Sequence, residues 1–365
     1  MALRKYLPWR FWGLFFLLIL ASVLTGCAGG GAQASSWFGL TTRDDLVYLA
    51  GNEQVYAVEI ATGTQRWAFP PEPDRNIGPF YTTPAFLDSL VVVGGFNDNT
   101  IYALDAESGQ EQWQLKVDGG FVEGGVVDEA GNLYIGSSDG DLYAISPEGQ
   151  ELWRFSTSQR IWATPLLADG RVYVASTDHY LYALDAAQGD LVWQFEAGGA
   201  MAGTPALLGD TLYIGSFDNR LYAISVETGE ERWSIEVDNW VWGGALATEE
   251  AIYFGDLGGN LYAVAPEDGR EIWRISTGEL GIRATPTLTD NVLYVGNEDG
   301  TVLALDPATG TEQWRIKLEG QVLTPILRHQ DILLVSLLRS ESKLVALKAE
   351  NGQPLWRFPP PTEKK

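Results

Sequence analysis

The sequence predicts an all-β fold, an eight-bladed β-propeller of four-stranded antiparallel blades. A Gly-x-x-x-Trp motif returns eight times at intervals of about 40 residues, which is typical of a repeat architecture. Each interval contains four short runs rich in Val, Ile, Leu, Tyr and Trp, separated by Asp, Asn and Gly turns. These intervals lack the helical periodicity of paired-helix solenoids. Four strands per repeat, arranged radially, form a propeller blade.

Each repeat supplies the same parts in the same order. In the fourth repeat the predicted strands fall within residues 164–167, 171–174, 180–185 and 189–195. The motif glycine is expected to adopt a left-handed backbone in the turn before the fourth strand. The motif tryptophan is expected to pack between adjacent blades, because a buried indole removes roughly 150–250 Å² from water. The predicted blade-packing residues are Trp67, Trp113, Trp153, Trp193, Trp233, Trp273, Trp314 and Trp356.

The first and last repeats decide the blade count. Residues 37–40 can supply a first strand for the first repeat, and the last repeat runs to Phe358. Every repeat is therefore complete, which predicts eight blades. The sequence leaves open whether the ring closes by borrowing a strand across the termini.

The amino terminus has the pattern of a secretory signal. Residues 1–10 carry three basic and no acidic side chains, and residues 11–24 are almost wholly apolar. The following Leu-Thr-Gly-Cys resembles the lipobox of bacterial lipoproteins, which implies cleavage before Cys27 and acylation of that residue. The predicted organisation is a signal peptide at 1–26, a flexible tether at 27–36 beginning with lipidated Cys27, the propeller at 37–358 and a tail at 359–365.

Composition excludes several functional classes. The formal net charge of −24 opposes binding to nucleic acid, because phosphate backbones repel a polyanion. A single cysteine rules out an internal disulfide and cysteine-based metal sites, and two histidines rule out a multi-histidine site. Residues 136–140 match Gly-x-Ser-x-Gly, but they fall in a strand-to-strand turn rather than the strand-to-helix turn of a hydrolase. We therefore predict no catalytic residue, no metal and no cofactor.

The pattern Leu-Tyr-Ala-[Leu/Ile]-Asp-x-x-[Thr/Ser]-Gly-x-x-x-Trp, matched well by residues 181–193, resembles the PQQ-type propeller repeat. The resemblance covers about residues 37–358. Two groups share this repeat: quinoprotein dehydrogenases, and the BamB lipoproteins of the outer-membrane β-barrel assembly machinery. The dehydrogenases hold their cofactor beside a vicinal cysteine pair, and the propeller here has no cysteine. In length, lipobox and blade count the chain is more similar to the BamB group.

The repeats differ most in the connection from each fourth strand to the next first strand. Aromatic and arginine side chains in these connections have no role in the repeat pattern, and such residues are enriched at binding hot spots. Two interpretations stay open, a partner-binding face and side chains that fill the central channel. The predicted partner-face residues are Arg75, Phe121, Arg160, Trp162, Trp240, Trp242 and Arg283.

The resemblance implies a non-catalytic scaffold that is anchored to a membrane by lipid and binds a protein partner, such as the β-barrel assembly machinery. The expected location is extracytoplasmic, on the periplasmic side of an outer membrane where the host has one, otherwise on the outer face of the cytoplasmic membrane. The propeller is expected to be monomeric. The alternatives are a ligand-binding or sensor lipoprotein and a PQQ-dependent dehydrogenase.

Overall fold

A computed structural model describes residues 38–51 and 53–361, and they form an eight-bladed β-propeller, as the sequence predicts. Cys27, the predicted signal peptide and the tether lie outside the described residues. The described residues contain strands and turns but no helix. Accordingly, this part of the chain offers no helix with the length and apolarity needed to cross a bilayer.

The chain forms its blades in order, with four strands in each. Blades 1 to 4 comprise β1 Gly39–Arg43, β2 Leu46–Gly51, β3 Gln54–Glu59, β4 Gln65–Phe69; β5 Ala85–Leu87, β6 Leu90–Gly94, β7 Thr100–Asp105, β8 Glu111–Lys116; β9 Gly125–Val127, β10 Leu133–Gly136, β11 Asp141–Ile145, β12 Glu151–Ser156; β13 Leu166–Ala168, β14 Arg171–Ala175, β15 Tyr180–Asp185 and β16 Leu191–Glu196. Blades 5 to 8 comprise β17 Ala206–Leu208, β18 Thr211–Ser216, β19 Arg220–Ser225, β20 Glu231–Glu236; β21 Leu246–Ala247, β22 Ile252–Gly255, β23 Asn260–Val264, β24 Glu271–Ser276; β25 Thr287–Thr289, β26 Val292–Gly296, β27 Thr301–Leu305, β28 Glu312–Lys317; β29 Leu327–His329, β30 Ile332–Ser336, β31 Leu344–Lys348 and β32 Pro354–Phe358.

Every blade is an antiparallel sheet of four strands that are consecutive in the chain. No described blade borrows a strand across the termini, which answers the question that the sequence left open. The second and third strands of each blade are buried, and the fourth strand is largely exposed at the rim. The first strands are partly exposed, and the residues just before them line a central cavity.

The seams between blades are built from one repeated arrangement. Each motif tryptophan donates its indole N–H to a backbone carbonyl of the next blade at 2.9–3.0 Å. In five of these seams a tyrosine of the second strand donates to the same carbonyl, as Tyr213 and Trp233 both do to Pro266. The acceptors for Trp67 through Trp356 are, in order, Ala106, Pro147, Ala186, Val226, Pro266, Pro307, Ala349 and Ile60.

The motif glycine is required by the indole that packs against it. Gly229 has φ of 74°, and a Cβ on it would lie 2.6 Å from the ring of Trp193 in the preceding blade. A side chain at this position would therefore meet both backbone strain and a clash. This is why glycine and tryptophan recur together.

The ring closes between blade 8 and blade 1 by side-chain packing. Trp356 donates to the Ile60 carbonyl at 2.9 Å, and Lys343 donates to the Tyr56 hydroxyl at 2.8 Å. One buried apolar cluster contains Leu49 of blade 1 and Leu344 of blade 8. The last seam thus has the same construction as the other seven.

Candidate functional site

Each connection between blades is fastened to the turns that join the second and third strands. In the connection at residues 157–165, the Ile161 N–H donates to the Ser137 carbonyl of the preceding blade at 3.1 Å. The Thr177 N–H of the next blade donates back to the Arg160 carbonyl at 2.9 Å. The same pair of bonds recurs in the connections at 197–205, 237–245 and 277–286. We call the surface formed by these connections and turns the connection face.

Tyrosine–aspartate hydrogen bonds hold the turns of this face in blades 2 to 6. The Tyr222 hydroxyl donates to Asp218 at 2.5 Å, and the same carboxylate oxygen accepts the Gly198 N–H at 2.8 Å. Burial, reinforced by the bond to Asp218, raises the pKa of Tyr222 to about 12. The equivalent pairs are Tyr102 with Asp98, Tyr143 with Asp139, Tyr182 with Asp178 and Tyr262 with Asp256.

Four aromatic rings meet on one sector of the connection face, and we call them the aromatic cluster: Trp162, Phe217, Trp240 and Trp242. Trp162 and Trp242 are stacked at 6.0 Å between ring centroids, with planes inclined by 22°. Phe217 lies flat against Trp240, at 5.0 Å and 6°, and its centroid is 4.8 Å from that of Trp242. Offset stacking of this kind is a favourable arrangement of aromatic rings.

Two of these tryptophans come from connections that are not neighbours in the ring. Trp162 belongs to residues 157–165 and Trp242 to residues 237–245, and residues 197–205 run between them. That intervening connection reads Ala-Gly-Gly-Ala-Met-Ala-Gly-Thr-Pro, and its one long apolar side chain, Met201, is fully buried. Small side chains therefore leave space above it in which the two indoles can stack.

Two arginines flank the aromatic cluster. The Arg283 guanidinium lies over the Trp242 ring, 4.3 Å from its centroid, and forms an ion pair with Glu298. The side chains of Arg283 and Glu298 are 18% and 19% exposed. The guanidinium of the exposed Arg160 lies 5.8 Å from the centroid of Trp162. Cations over indole faces are attracted by the ring quadrupole, so these contacts fix the edges of the cluster.

The outer side of the cluster is open to solvent. Trp240 is 45% exposed, and Leu280 in the next connection is also 45% exposed. Exposed aromatic and aliphatic side chains beside arginines have the composition of interface anchors. This sector can therefore dock an apolar group of a partner and hold an anionic group beside it.

A central cavity of about 320 Å³ lies next to the cluster. Trp242 and Arg283 line one side of it. Threonines that precede the first strands of five blades line the rest, together with Glu123, Leu323 and several glycine, alanine and proline residues. These threonines are Thr83, Thr164, Thr204, Thr285 and Thr324. Its volume lies at the small end of the range for ligand pockets.

The structure brings together five of the seven predicted partner-face residues: Arg160, Trp162, Trp240, Trp242 and Arg283. The interpretation of Phe121 as a surface contact needs correction, because it is fully buried between blades 2 and 3 and packs against Gly94. Arg75 is exposed in the long connection after blade 1, and no contact among the described residues joins it to the cluster. Within the same residues, no group of three or more His, Cys, Asp or Glu side chains is placed to hold a metal ion.

Sequence reasoning missed Phe217, the ring that joins Trp240 to Trp242. It stands in the turn between β18 and β19, outside the connections that contain the predicted partner-face residues. Equivalent turn positions carry Phe96, Ser138, Thr177, Leu257 and Glu298. Because Phe96 is also aromatic, a comparison of the turns alone does not single out Phe217.

Comparison with known proteins identifies similar chains. The sequence profile of the family described as outer membrane protein assembly factor BamB matches residues 29–120, 97–240 and 239–364. The outer membrane protein assembly factor BamB of Burkholderia pseudomallei is 27% identical over 31% of this chain and 29% of its own length. The protein of the same name from Moranella endobia is 25% identical over 47% of each chain.

A second kind of relative is the serine/threonine-protein kinase AfsK of Streptomyces griseus, 30% identical over 40% of this chain and 23% of its own length. The chain thus spans less than half the length of each of these relatives. Among solved structures, BamB from Moraxella catarrhalis superimposes with a TM-score of 0.71 at 20% identity, covering 84% of this chain and 92% of that one. The computationally designed Ika8 protein gives 0.70 at 17% identity, covering 82% and 93%. At these identities the two structures show the shared fold alone.

Proposed function

The chain belongs to the family described as outer membrane protein assembly factor BamB, and from this premise we propose that it is a non-catalytic scaffold assisting the assembly and insertion of β-barrel proteins in an outer membrane. It would do so by protein–protein binding, with the aromatic cluster and its two arginines as the binding surface. The proposal includes no cofactor, metal or catalytic step, and it takes the propeller as a monomer.

One observation carries the choice of surface: Trp240 and Leu280 are each 45% exposed beside a stacked aromatic cluster. A side chain that serves only to fill the channel would be enclosed by protein. Aromatic rings held flat by neighbours lose little conformational freedom on binding, which favours their use as anchors. Arg160 and Arg283 add charged groups at the edge of the same surface.

The test is affinity capture with the full-length acylated protein from its native membranes, read by mass spectrometry. The expected result is near-stoichiometric recovery of the β-barrel assembly protein with the unaltered chain. The double variant Trp240→Ala with Arg160→Ala is expected to lose that recovery while its melting curve stays close to that of the unaltered chain. The matched control is Leu355→Ala with Arg357→Ala, one exposed aliphatic and one arginine on the rim of blade 8, and it should capture the partner normally.

Two results would count against the proposal in different ways. If the double variant unfolds, the aromatic cluster fills the channel mouth and serves the fold. If the unaltered chain recovers no component of barrel assembly, the scaffold function is wrong for this chain.

Membrane attachment belongs to the same proposal and rests on Cys27, the only cysteine of the chain. Acyl chains contribute about 0.8 kcal/mol for each buried CH₂, so a multiply acylated cysteine is a stable anchor. Cys27→Ser is expected to move the protein from the detergent phase to the aqueous phase on phase partition. Recovery of the variant in the detergent phase would show that another segment anchors the chain.

The central cavity supports a second candidate, an extracytoplasmic lipoprotein that binds or senses a small ligand. The cavity of about 320 Å³ has an indole and a guanidinium on one wall, which could report a ligand by changing tryptophan fluorescence. A saturable fluorescence change that Trp242→Phe alters, in a protein that captures no barrel component, would favour this function. Tight uptake of PQQ and calcium with dye-linked oxidation would instead indicate a dehydrogenase.

A further inference from the structure

The outer strands of the eight blades differ in how well they are protected against pairing with another chain. Each fourth strand hydrogen-bonds to a neighbour on one side only, because it ends its sheet. Edge strands in soluble proteins commonly carry lysine, arginine or proline, which oppose the addition of a further strand. Seven of the eight rim strands follow this rule and contain at least one Lys or Arg: β4, β8, β12, β20, β24, β28 and β32.

Blade 4 is the exception. Its rim strand β16 reads Leu-Val-Trp-Gln-Phe-Glu and contains no cation. Leu191 and Val192 are 48% and 44% exposed, and Leu152 at the matching position of the neighbouring blade 3 is 52% exposed. A six-residue segment of high β-propensity and low net charge, without proline, is the kind of sequence that pairs readily with another strand.

On two of the other rim strands, an arginine is held in place by an ion pair with a glutamate of the same strand. Arg154 of β12 pairs with Glu151 at 2.6 Å, and Arg315 of β28 pairs with Glu312 at 2.7 Å. In blade 4 the position of these arginines is occupied by Gln194. Blades 1, 2 and 5 also lack an arginine at this position, but their rim strands carry Arg66, Lys116 and Arg232 elsewhere, so β16 is the one described rim strand without a cation.

We propose that the β16 edge of blade 4 is a binding site for an extended polypeptide segment, which adds to the blade as a fifth strand. Main-chain hydrogen bonds would supply much of the affinity, and alternate side chains would contact Val192 on one face. This site is on the rim, so it is separate from the connection face and does not depend on the partner proposed there.

Charge specifies the occupant. Asp190 precedes β16 and Glu196 ends it, so both ends of the edge are negative. The segment that fits has alternating apolar residues and a lysine or arginine near each end. A second copy of this chain does not fit, because two molecules of net charge −24 repel one another.

The experiment uses the full chain and a fluorescein-labelled peptide, Lys-Val-Thr-Val-Thr-Val-Thr-Lys. We expect saturable binding that Val192→Arg weakens at least tenfold, because a cation on an edge strand opposes the addition of another strand. Arg232 stands at the same position in blade 5. The matched control is Ile272→Arg on β24, which replaces a 41% exposed aliphatic at the same repeat position on a strand that already has Arg274. Its affinity should stay within twofold of the unaltered chain.

Two further peptides and one further variant identify the mode of binding. A central proline in the peptide removes a backbone donor and should abolish binding, and glutamates in place of its lysines should weaken it most at low salt. Trp240→Ala should leave peptide binding unchanged, whatever becomes of the partner proposed for the connection face. Hydrogen exchange should slow in β16 on peptide addition.

The proposal is wrong if the unaltered chain does not bind the first peptide. It is also wrong if Val192→Arg and Ile272→Arg lose binding equally, or if exchange slows equally on all rim strands. Concentration-dependent self-association abolished by Val192→Arg would assign the edge to a second copy and overturn the occupant proposed here.

Discussion

Tryptophan has one role in the seams between blades and a different role on the connection face. In the seams, tryptophan recurs at a fixed position, donates to a fixed carbonyl and packs against a fixed glycine. On the connection face, Trp162 and Trp242 stand at the same position of two connections and stack on each other, and Phe217 links Trp240 to Trp242. The other connections carry no tryptophan. The repeated tryptophans thus serve the ring as a whole, whereas the unrepeated ones create one distinctive sector.

This comparison shows how a repeat protein separates stability from specificity. The seam interaction is made eight times, once between each pair of neighbouring blades. The aromatic cluster is made once, and its outer side remains exposed at Trp240. Substitutions of the same chemical kind should therefore have opposite consequences in the two regions.

The largest expected effect is at a seam. Trp193→Ala removes an indole that donates to the Val226 carbonyl and packs against Tyr173, with 5.8 Å between ring centroids. We expect a loss of about 3–5 kcal/mol in the free energy of unfolding, from the cavity and the lost packing. Urea unfolding measures it, and Trp193→Phe should lose less. A loss below about 1 kcal/mol would contradict the packing role.

The second effect concerns the glycine against which that indole packs. Gly229→Ala is expected to combine backbone strain of about 1–2 kcal/mol with overpacking of about 1–3 kcal/mol, since the new Cβ would approach Trp193. Gly209→Ala is the matched control, because its φ is also positive, at 56°, but nothing lies within 4 Å of the new Cβ. In thermal melts, Gly209→Ala should have a clearly higher melting temperature than Gly229→Ala. Equal melting temperatures would contradict the predicted clash with Trp193.

A third, smaller effect appears at alkaline pH on the connection face. Tyr222 has its pKa raised to about 12 by burial and by Asp218, so the unfolded chain loses this proton near pH 10 while the folded chain keeps it. The contribution of Tyr222 to the free energy of unfolding is fully present below pH 10. It is lost as pH rises from 10 to 12, at up to about 1.4 kcal/mol per pH unit. Tyr222→Phe should show a shallower fall in this window by urea unfolding, and identical slopes would refute the assignment.

The smallest expected effect on stability is at the exposed edge of the aromatic cluster. Trp240→Ala should change the free energy of unfolding by less than about 1 kcal/mol, because the side chain is 45% exposed and packs mainly on Phe217. Trp240→Ala on the connection face and Trp193→Ala in a seam are the same substitution, so their effects can be compared directly. A loss as large as that at Trp193 would mean that the aromatic cluster supports the fold.

The sequence was a good guide to the repeat and a partial guide to the site. Gly-x-x-x-Trp predicted the blade count because its geometry is local, with a left-handed turn four residues before an indole. Residues in the connections were harder to interpret, because buried and exposed side chains alternate within a few residues. Phe121 falls at the repeat position of Met201 and Val241, where the side chain is buried. Trp240 falls one residue earlier, at the position of the exposed Arg160, and is 45% exposed.

The sequence by itself determined the β-propeller, the number of blades and the seam tryptophans, since strand alternation, turn glycines and repeat spacing act over short distances along the chain. The tertiary structure decided how the ring closes and which side chains meet across it. Trp162 and Trp242 are stacked because the connection between them carries small residues, and Phe217 joins the cluster from a different blade. These contacts depend on distances between segments far apart in the chain, which the closed ring fixes and the order of residues does not.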